Sequence, residues 1–222
     1  MNDLTLIIPA KREVESLPIF LKEIETYKCK KLIVLQKEDI ETKKSIENIQ
    51  NIEIHEQNNN GYGNALIEGI NSVKTKYCCI TKADGSMDPK YLKQMIETCR
   101  ELDFVFGSRY QKNAKSHDDT IITLLGNFFF TKFGQIFFGL PITDILYTFV
   151  LGKTAKAKKL KLIEKNFAFC VELPIKAVRQ NMSIGSSSAV EFKRIDSEKK
   201  VNEFRDGLKI LYSMIKLLFK NA

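Results

Sequence analysis

The 222-residue sequence has few of the residues that build several common kinds of site. Its two histidines, His55 and His117, are too few for a histidine-rich metal site. Its five cysteines are an odd number without regular spacing, so we expect reduced thiols rather than a disulfide framework. Zinc-finger spacing, an RNA-binding aromatic signature and a basic zipper are all missing, which disfavours nucleic acid as a partner.

Internal repeats, low-complexity tracts and obvious linkers are also missing, so we expect a single domain. The first apolar run begins at Leu4, which predicts a strand at once and no signal peptide. Together with the reduced thiols, this predicts a cytoplasmic protein.

Positive charge is what the chain has in excess. Its formal net charge is +8, and Lys and Arg are spread over the whole length. Three interpretations stay open: a soluble basic surface, contact with an anionic membrane, or a phosphorylated substrate.

Short apolar runs alternate with helical patterns through the first half of the chain. This alternation predicts an α/β fold with a mostly parallel, twisted sheet and helices on both faces. The predicted strands are residues 4–8, 32–35, 52–54, 77–80 and 104–106. The predicted helices lie at 17–24, 65–73 and 92–102, with a charged helix through Ile46 and Ile49 after the second strand.

From residue 121 the pattern changes. Residues 121–142 are rich in Phe, and Lys132 is their only charged residue. Glycines and polar residues interrupt the segment, so we favour an interfacial or core helix over a membrane span. The C-terminal segment predicts a basic amphipathic helix that packs on the domain or lies on an anionic bilayer. Its apolar stripe is Leu208, Leu211, Tyr212, Ile215, Leu218 and Phe219, beside Lys209, Lys216 and Lys220.

An acidic turn, Thr81-Lys82-Ala83-Asp84-Gly85-Ser86-Met87-Asp88-Pro89, follows the predicted strand at 77–80. In open α/β sheets, ligands bind just beyond the carboxyl ends of the strands. A carboxylate there can hold a divalent cation against a diphosphate. The turn is similar to the Asp-x-Asp signature of nucleotide-sugar glycosyltransferases, with Lys82 in place of the first Asp.

Further segments accompany this turn in the order and spacing of one enzyme family. Together they resemble family 2 inverting glycosyltransferases, in particular the dolichol- and polyprenol-phosphate mannosyltransferase branch, over nearly the whole chain. The segments are Ile7-Ile8-Pro9-Ala10 with Glu13, Gly61-Tyr62-Gly63, Gly107-Ser108-Arg109-Tyr110, Thr143-Asp144, Phe169-Cys170-Val171-Glu172-Leu173, and Arg194 with Lys200.

The resemblance implies a GT-A-type (nucleotide-diphospho-sugar transferase) fold in one domain, residues 1–222. Residues 1–110 would form the nucleotide-sugar-binding half, 111–200 the acceptor-side half, and 201–222 the C-terminal amphipathic helix. Substrate-binding roles are implied for Pro9, Ala10, Glu13, Gly61, Gly63, Asp84, Asp88 and Lys200, and catalytic roles for Lys82, Arg109, Asp144 and Arg194.

Within this set the roles differ. Asp84 would be the ligand of Mg²⁺ or Mn²⁺, and Arg109 would face a lipid-phosphate acceptor. Arg194 and Lys200 would bring positive charge over the donor. Asp144 is the candidate general base, which a hydroxyl acceptor needs and a phosphate acceptor does not. Lys82 adds a fixed positive charge, so we expect it to weaken the dependence on metal or partly to replace the cation.

Each of these residues also has a structural explanation. Asp84 and Asp88 are common turn and cap residues, and Glu13 suits a helix N-terminus. Arg109 and the run from Lys193 to Lys200 would be ordinary surface charges. The glycines would form a strand-to-helix turn, and Glu172 would orient Arg194 or a helix.

The sequence also departs from the family pattern in three other places. Thr148 replaces a usual Gly, Ser197 and Lys199 replace the Gly and Ser expected between Arg194 and Lys200, and an Asp-Asp-Gly-Ser loop becomes Gln36-Lys37-Glu38-Asp39. Asp39 is a candidate substitute in binding the base.

The resulting prediction is an inverting glycosyltransferase. It would move a sugar from a nucleoside-diphosphate donor to a polyprenyl phosphate or a cell-surface glycan, in the cytoplasm or peripherally on the inner membrane face. One alternative is a catalytically inactive homologue that binds nucleotide or membrane and supports a partner enzyme. A nucleotidyltransferase is a third alternative, suggested faintly by Lys11-Arg12.

Overall fold

The computed structural model describes residues 1–195 and 202–219, which form nine strands and eight helices. The strands are β1 (Leu4–Ala10), β2 (Lys30–Leu35), β3 (Glu53–Glu56), β4 (Tyr77–Ile80), β5 (Phe104–Ser108), β6 (Lys115–Ser116), β7 (Val150–Lys153), β8 (Ile184–Ser188) and β9 (Val190–Glu191). The helices are α1 (Ser16–Glu23), α2 (Ile40–Ser45), α3 (Tyr62–Ser72), α4 (Leu92–Glu101), α5 (Ile121–Phe138), α6 (Thr154–Lys159), α7 (Phe169–Arg179) and α8 (Glu203–Phe219).

Seven strands form the central sheet, in the order β3-β2-β1-β4-β7-β5-β8. All neighbours pair in parallel except β7, which is antiparallel to both β4 and β5. The predicted mixed α/β fold with a mostly parallel sheet is therefore confirmed. The sequence reasoning did not predict β7 or the small sheet of β6 and β9.

Helices cover both faces of the sheet because the central strands are apolar on both sides. Side chains alternate between the faces, so Ile7 belongs to one core cluster and Ile8 to the other. The adjacent cysteines Cys78 and Cys79 divide in the same way, as predicted. All five cysteines are free thiols.

Strand β1 is longer than predicted, because Pro9 lies within it rather than ending it. Proline cannot donate a backbone hydrogen bond, which usually confines it to strand edges. Beyond Ile7 the strand β1 pairs only with β2, since β4 ends opposite that residue. At Pro9, β1 has a paired strand on one side only, and proline is tolerated there for that reason.

The Phe-rich segment forms one helix, α5, which is shorter than residues 121–142. It begins at a capping box made by Thr120 and Thr123 and ends at Gly139, whose φ of 64° is left-handed. Among the described residues, α5 is the one helix long and apolar enough to cross a bilayer. The division of the chain into donor, acceptor and C-terminal parts stays a prediction.

Candidate active site

The carboxyl ends of β1, β4, β5 and β8 meet at one edge of the sheet. The register pairs Ile7 with Ile80 and Ser108 with Ser188, so the loops that follow these strands are neighbours. Strand β7 runs the other way, and therefore the loop before Val150 reaches the same edge. We call this edge the rim. It lies where ligands bind in open α/β sheets.

Arg109 is the centre of the rim. Its Nε donates to Asp144 Oδ2 at 2.8 Å and its Nη2 to Asp144 Oδ1 at 3.0 Å. Its Nη1 donates to Glu191 Oε2 at 2.9 Å and to Asp119 Oδ1 at 3.1 Å. The side chain is buried against the ring of Tyr147. The guanidinium is thus bound to protein carboxylates, whereas the resemblance implied that Arg109 faces a lipid-phosphate acceptor.

Asp144 is completely buried, with 0 % of its surface exposed. Both of its carboxylate oxygens accept from Arg109, one of them from the backbone N–H as well. Burial raises the pKa of the Asp144 carboxyl, although the charge of Arg109 opposes the shift. This geometry disfavours the predicted general base, because the carboxylate has no exposed surface from which to meet an acceptor, and the catalytic role of Asp144 stays a prediction. The geometry fits a residue that positions Arg109.

Glu191 is a central residue of the rim that the sequence reasoning missed. Its carboxylate accepts from Lys82 Nζ at 3.1 Å, from Arg109 at 2.9 Å and from Ser116 Oγ at 2.7 Å. Burial would raise its pKa, but the charges of Lys82 and then Arg109 outweigh it and lower the pKa to about 2. A single Glu in an unremarkable stretch gives no signal. Its importance comes from the short strand β9, which brings it to the rim.

Lys82 and Asp84 lie together at the rim, as predicted, on the turn after β4. The Lys82 side chain is 30 % exposed and pairs with Glu191. Asp84 Oδ1 accepts from the backbone N–H of Ser86 at 3.0 Å, which closes the turn. Its backbone oxygen accepts from Ile195 N at 3.0 Å, and Phe192 N donates to Ser86 O at 2.8 Å. The segment after β9 therefore covers the acidic turn.

Arg194 lies on this covering segment. Its Nη2 donates to Asp118 Oδ2 at 2.5 Å, and its side chain is 18 % exposed. It is therefore next to the acidic turn and paired with a carboxylate, and its role over the donor stays a prediction. The predicted site residue Lys200 lies outside the described residues, as do Ser197 and Lys199.

Asp88 has a capping role. Its Oδ1 accepts from Lys90 N at 3.0 Å at the start of the 3₁₀ turn Pro89–Tyr91, and its Oδ2 pairs with Lys90 Nζ at 2.6 Å. Its charge also raises the pKa values of Glu23 and Tyr27, after the larger effect of burial. Asp88 thus interacts with the side of α1, and the structure favours its structural explanation.

The loop after β1 is held by the start of α2. The backbone N–H of Arg12, a residue with a φ of 54°, donates to Asp39 Oδ2 at 2.6 Å. The backbone N–H of Glu13 donates to Thr42 Oγ1 at 3.0 Å, and its buried carboxylate accepts from Ser16 Oγ. Pro9 and Ala10 end the strand just before this loop. Asp39, the candidate substitute for base binding, is thus a helix cap and loop anchor.

Gly61 and Gly63 are needed for protein contacts. A Cβ on Gly61 would lie 2.3 Å from Lys165 O, and one on Gly63 would lie 2.0 Å from Glu164 O. The N–H of Gly63 donates to Lys165 O at 3.1 Å. A backbone carbonyl of the chain itself therefore occupies the start of α3. A direct contact between these glycines and a donor stays a prediction.

Glu172 holds the same loop from behind. Its buried carboxylate accepts from the backbone N–H groups of Ile163 and Glu164, at 3.0 and 2.8 Å, and pairs with Lys176 at 2.7 Å. Its role is structural, as one interpretation held. It supports the loop at α3 rather than Arg194, whose side chain pairs with Asp118.

The rim provides few ligands for a divalent cation. Within residues 1–195 and 202–219, no three His, Cys, Asp or Glu side chains converge in a metal-binding group. Mg²⁺ commonly uses one or two carboxylates together with substrate phosphates. Asp84 meets that requirement with one carboxylate, so the residues fit a cation that is shared with a diphosphate.

The first prediction concerns Glu191. Its lowered pKa means that its contribution to stability is fully present above the ordinary value of 4.5 and is lost as the pH falls towards about 2. Glu191→Gln should lower the free energy of unfolding at pH 7 by about 3 kcal/mol, because it leaves the buried Arg109 and the partly exposed Lys82 short of a partner. In urea unfolding, the difference between the free energies of unfolding of the two proteins should become smaller as the pH falls from 7 to 3.

Glu53→Gln is the matched control, since that side chain is 66 % exposed. It should change the stability by no more than about 0.5 kcal/mol. The assigned ion pairs would be contradicted if the two substitutions had equal effects, or if the loss of stability caused by Glu191→Gln did not change with pH.

The second prediction separates packing from ligand binding at Gly63. Gly63→Ala should destabilise the fold by about 1–3 kcal/mol, because its Cβ would overlap the carbonyl of Glu164. Gly126→Ala in α5, where a Cβ meets nothing within 4 Å, should stabilise by about 0.5–1 kcal/mol. Thermal unfolding without nucleotide measures both. A Gly63→Ala protein of normal stability would restore the ligand-binding interpretation.

Comparisons with known proteins agree with this architecture. The glycosyl transferase family 2 model matches residues 5–161. An undecaprenyl-phosphate mannosyltransferase of Micrococcus luteus is 26 % identical over 186 residues, which cover 78 % of this chain and 76 % of that protein.

Solved structures of glucosyl-3-phosphoglycerate synthase from Mycobacterium tuberculosis share the fold. The complex with Mn²⁺, UDP-glucose and phosphoglyceric acid superposes with a TM-score of 0.75 at 9 % identity, covering 97 % of this chain and 79 % of that one. The complex with Mg²⁺ and UDP gives 0.70 at 10 % identity over 97 % and 79 %. With a GT-A sheet, a polar rim and a family match over most of its length, this chain belongs to glycosyl transferase family 2 and is a glycosyltransferase.

Proposed function

We propose that the protein transfers a sugar, with inversion, from a nucleoside-diphosphate donor to a polyprenyl phosphate. The observation that carries the proposal is the chain of ion pairs from Lys82 through Glu191 to Arg109, beside Asp84 at the rim. The Micrococcus luteus relative, named for an undecaprenyl-phosphate acceptor, supports the acceptor class. The UDP and UDP-glucose in the similar solved structures support the donor class.

The acceptor is argued from Asp144. A sugar hydroxyl needs a base to remove its proton during a single displacement, whereas a phosphate is already an anion. The carboxylate expected to serve as that base is buried and bound on both oxygens by Arg109. The competing acceptor, a cell-surface glycan hydroxyl, is therefore disfavoured, and a lipid-linked phosphate at the inner membrane face suits the site better.

The donor's diphosphate would lie against Lys82 and the turn of Asp84. The ammonium of Lys82 is partly exposed while it keeps its bond to Glu191, so it can act as a point charge on the leaving diphosphate. Arg194 would add a second charge from the covering segment. The acceptor's phosphate oxygen attacks the anomeric carbon, and the bond from that carbon to the diphosphate breaks on the opposite side.

The charge balance of the rim argues for a cation as well. The ion pairs join three cations to four carboxylates: Lys82, Arg109 and Arg194 face Asp118, Asp119, Asp144 and Glu191. Asp84 adds another carboxylate. Glu191 neutralises Lys82. The lysine at this position, where the family pattern has an aspartate, therefore adds no surplus positive charge to the rim. Mg²⁺ or Mn²⁺ held by Asp84 would supply the missing charge to the diphosphate.

Nucleotide release tests the proposed function. The purified chain is incubated with a panel of nucleoside-diphosphate sugars, with and without polyprenyl phosphate and Mg²⁺ or Mn²⁺. We expect one donor to release nucleotide faster when the lipid phosphate is present. Binding of nucleotide without release from any donor would favour the catalytically inactive alternative, and stimulation by a glycan instead would overturn the acceptor.

The third prediction concerns Lys82. Lys82→Ala should lower the rate of nucleotide release by about 10²–10³-fold, because it removes a preorganised charge from the leaving group. Chelation should also lower the rate of release by the unaltered protein, because Lys82, paired with Glu191, would replace only part of the charge of a cation on Asp84. The control is Lys30→Ala, an exposed lysine of β2 outside the rim, which should leave the rate unchanged. Full activity of Lys82→Ala with unchanged metal dependence would contradict the assigned role.

A further inference from the structure

The outer face of α5 is covered with large apolar side chains that no residue within 1–195 and 202–219 buries. Only 22 % of the helix is buried. The exposed fractions reach 76 % for Ile121, 62 % for Leu125, 61 % for Phe128, 74 % for Ile136 and 54 % for Phe137. Water-soluble monomers rarely expose a continuous apolar surface of this kind, and where they do it usually marks an interaction site.

The inner face of α5 is fixed to the domain along much of its length. Asn127 Oδ1 accepts from Leu146 N at 3.1 Å, and Thr131 Oγ1 accepts from Ile145 N at 3.2 Å. Gln135 Nε2 donates to Ile142 O at 2.9 Å. A helix held by these bonds cannot cross a bilayer without breaking them. Its exposed face can, however, lie in the plane of a membrane surface.

Helix α8 continues this surface. Its buried side, with Ile210 and Met214, packs into the same core cluster as Phe130 of α5. Its outer stripe is exposed, at 79 % for Phe204, 69 % for Leu208, 68 % for Tyr212, 42 % for Ile215 and 85 % for Phe219. Most of the stripe predicted from the sequence, including Leu208 and Tyr212, therefore points away from the protein.

The charges beside these apolar faces are mostly positive. About a quarter turn around α8 from its apolar stripe lie three basic residues, Arg205, Lys209 and Lys216. Helix α5 has one charged residue, Lys132. The nearby Asp206 is buried and bonds to Asn202 N and Lys209. An apolar face flanked by basic residues complements a bilayer that contains anionic lipids.

We propose that the outer faces of α5 and α8 together form a docking face, which inserts in the plane of an anionic lipid leaflet. This inference rests on the proposed function in one respect only: docking would bring a lipid-linked phosphate to the rim. The residues bonded to the inner side of α5, Ile142, Ile145 and Leu146, flank Asp144 in sequence. Asp144 in turn fixes Arg109, so the docking face and the rim are joined through one short loop.

The fourth prediction uses the fact that the chain has no tryptophan. Single reporters are introduced as Phe128→Trp in α5 and Tyr212→Trp in α8, with Ile40→Trp as the control because Ile40 is 68 % exposed on α2. The vesicles contain phosphatidylglycerol and phosphatidylcholine and no polyprenyl phosphate or donor. Emission should shift to the blue for the first two reporters only, and less with phosphatidylcholine alone.

Brominated lipids then measure depth. Bromine near the head groups should quench Phe128→Trp and Tyr212→Trp more strongly than bromine near the chain ends. A double substitution, Phe128→Ser with Leu208→Ser, should weaken vesicle binding about tenfold or more. Ile163→Ser, at a side chain that is 54 % exposed elsewhere, should leave it unchanged. Circular dichroism checks that both variants are folded.

Three results would overturn the inference. The first is identical emission from all three reporters with vesicles. The second is strongest quenching at the bilayer midplane, which would mean that α5 spans the membrane. The third is a dimer in sedimentation that the double substitution dissolves while neither protein binds vesicles, which would make a second copy the occupant. Since the vesicles lack donor and acceptor, none of these results depends on nucleotide release.

Discussion

The buried guanidinium of Arg109 holds the candidate active site together. It joins three segments that are far apart in sequence: the acidic loop at Asp119, the loop before β7 at Asp144, and β9 at Glu191. A buried charge is tolerated only when paired, so each segment is constrained by the others. The covering segment, the acidic turn and the ring of Tyr147 take their positions from this arrangement.

The same arrangement links the proposed docking face to the rim. Helix α5 bonds to the backbone on both sides of Asp144, and Asp144 fixes Arg109. A lipid-bound protein would therefore present the rim at a defined height above the bilayer. A lipid-linked phosphate could then receive the sugar without leaving the membrane.

The fold could be predicted from the sequence because it depends on local patterns. Apolar runs separated by helical periodicity gave most elements of the first half, and the altered Asp-x-Asp turn lies at the carboxyl edge as expected. Strand β7 was missed because its few residues, beginning at Val150, lack an alternating pattern. Its antiparallel direction is set by tertiary pairing with β4 and β5.

The site was harder to predict, because ion pairs over long sequence separations leave no local pattern. Glu191 interacts with Lys82 and Arg109, 109 and 82 residues away, and nothing around it signals this. For the same reason Asp144 could be read as a base when its partner was unknown. The glycines before α3 were a recognisable pattern, but the sequence could not reveal that a carbonyl of the 164–166 loop fills the space beside them.

A crystal structure with a bound nucleoside diphosphate and Mn²⁺ tests the central claim most directly. The account predicts the diphosphate at the rim, with an oxygen within about 3 Å of Lys82 Nζ and the cation on Asp84. A diphosphate bound elsewhere, with the bonds of Arg109 and Glu191 undisturbed and Lys82 and Asp84 free of ligand, would contradict it.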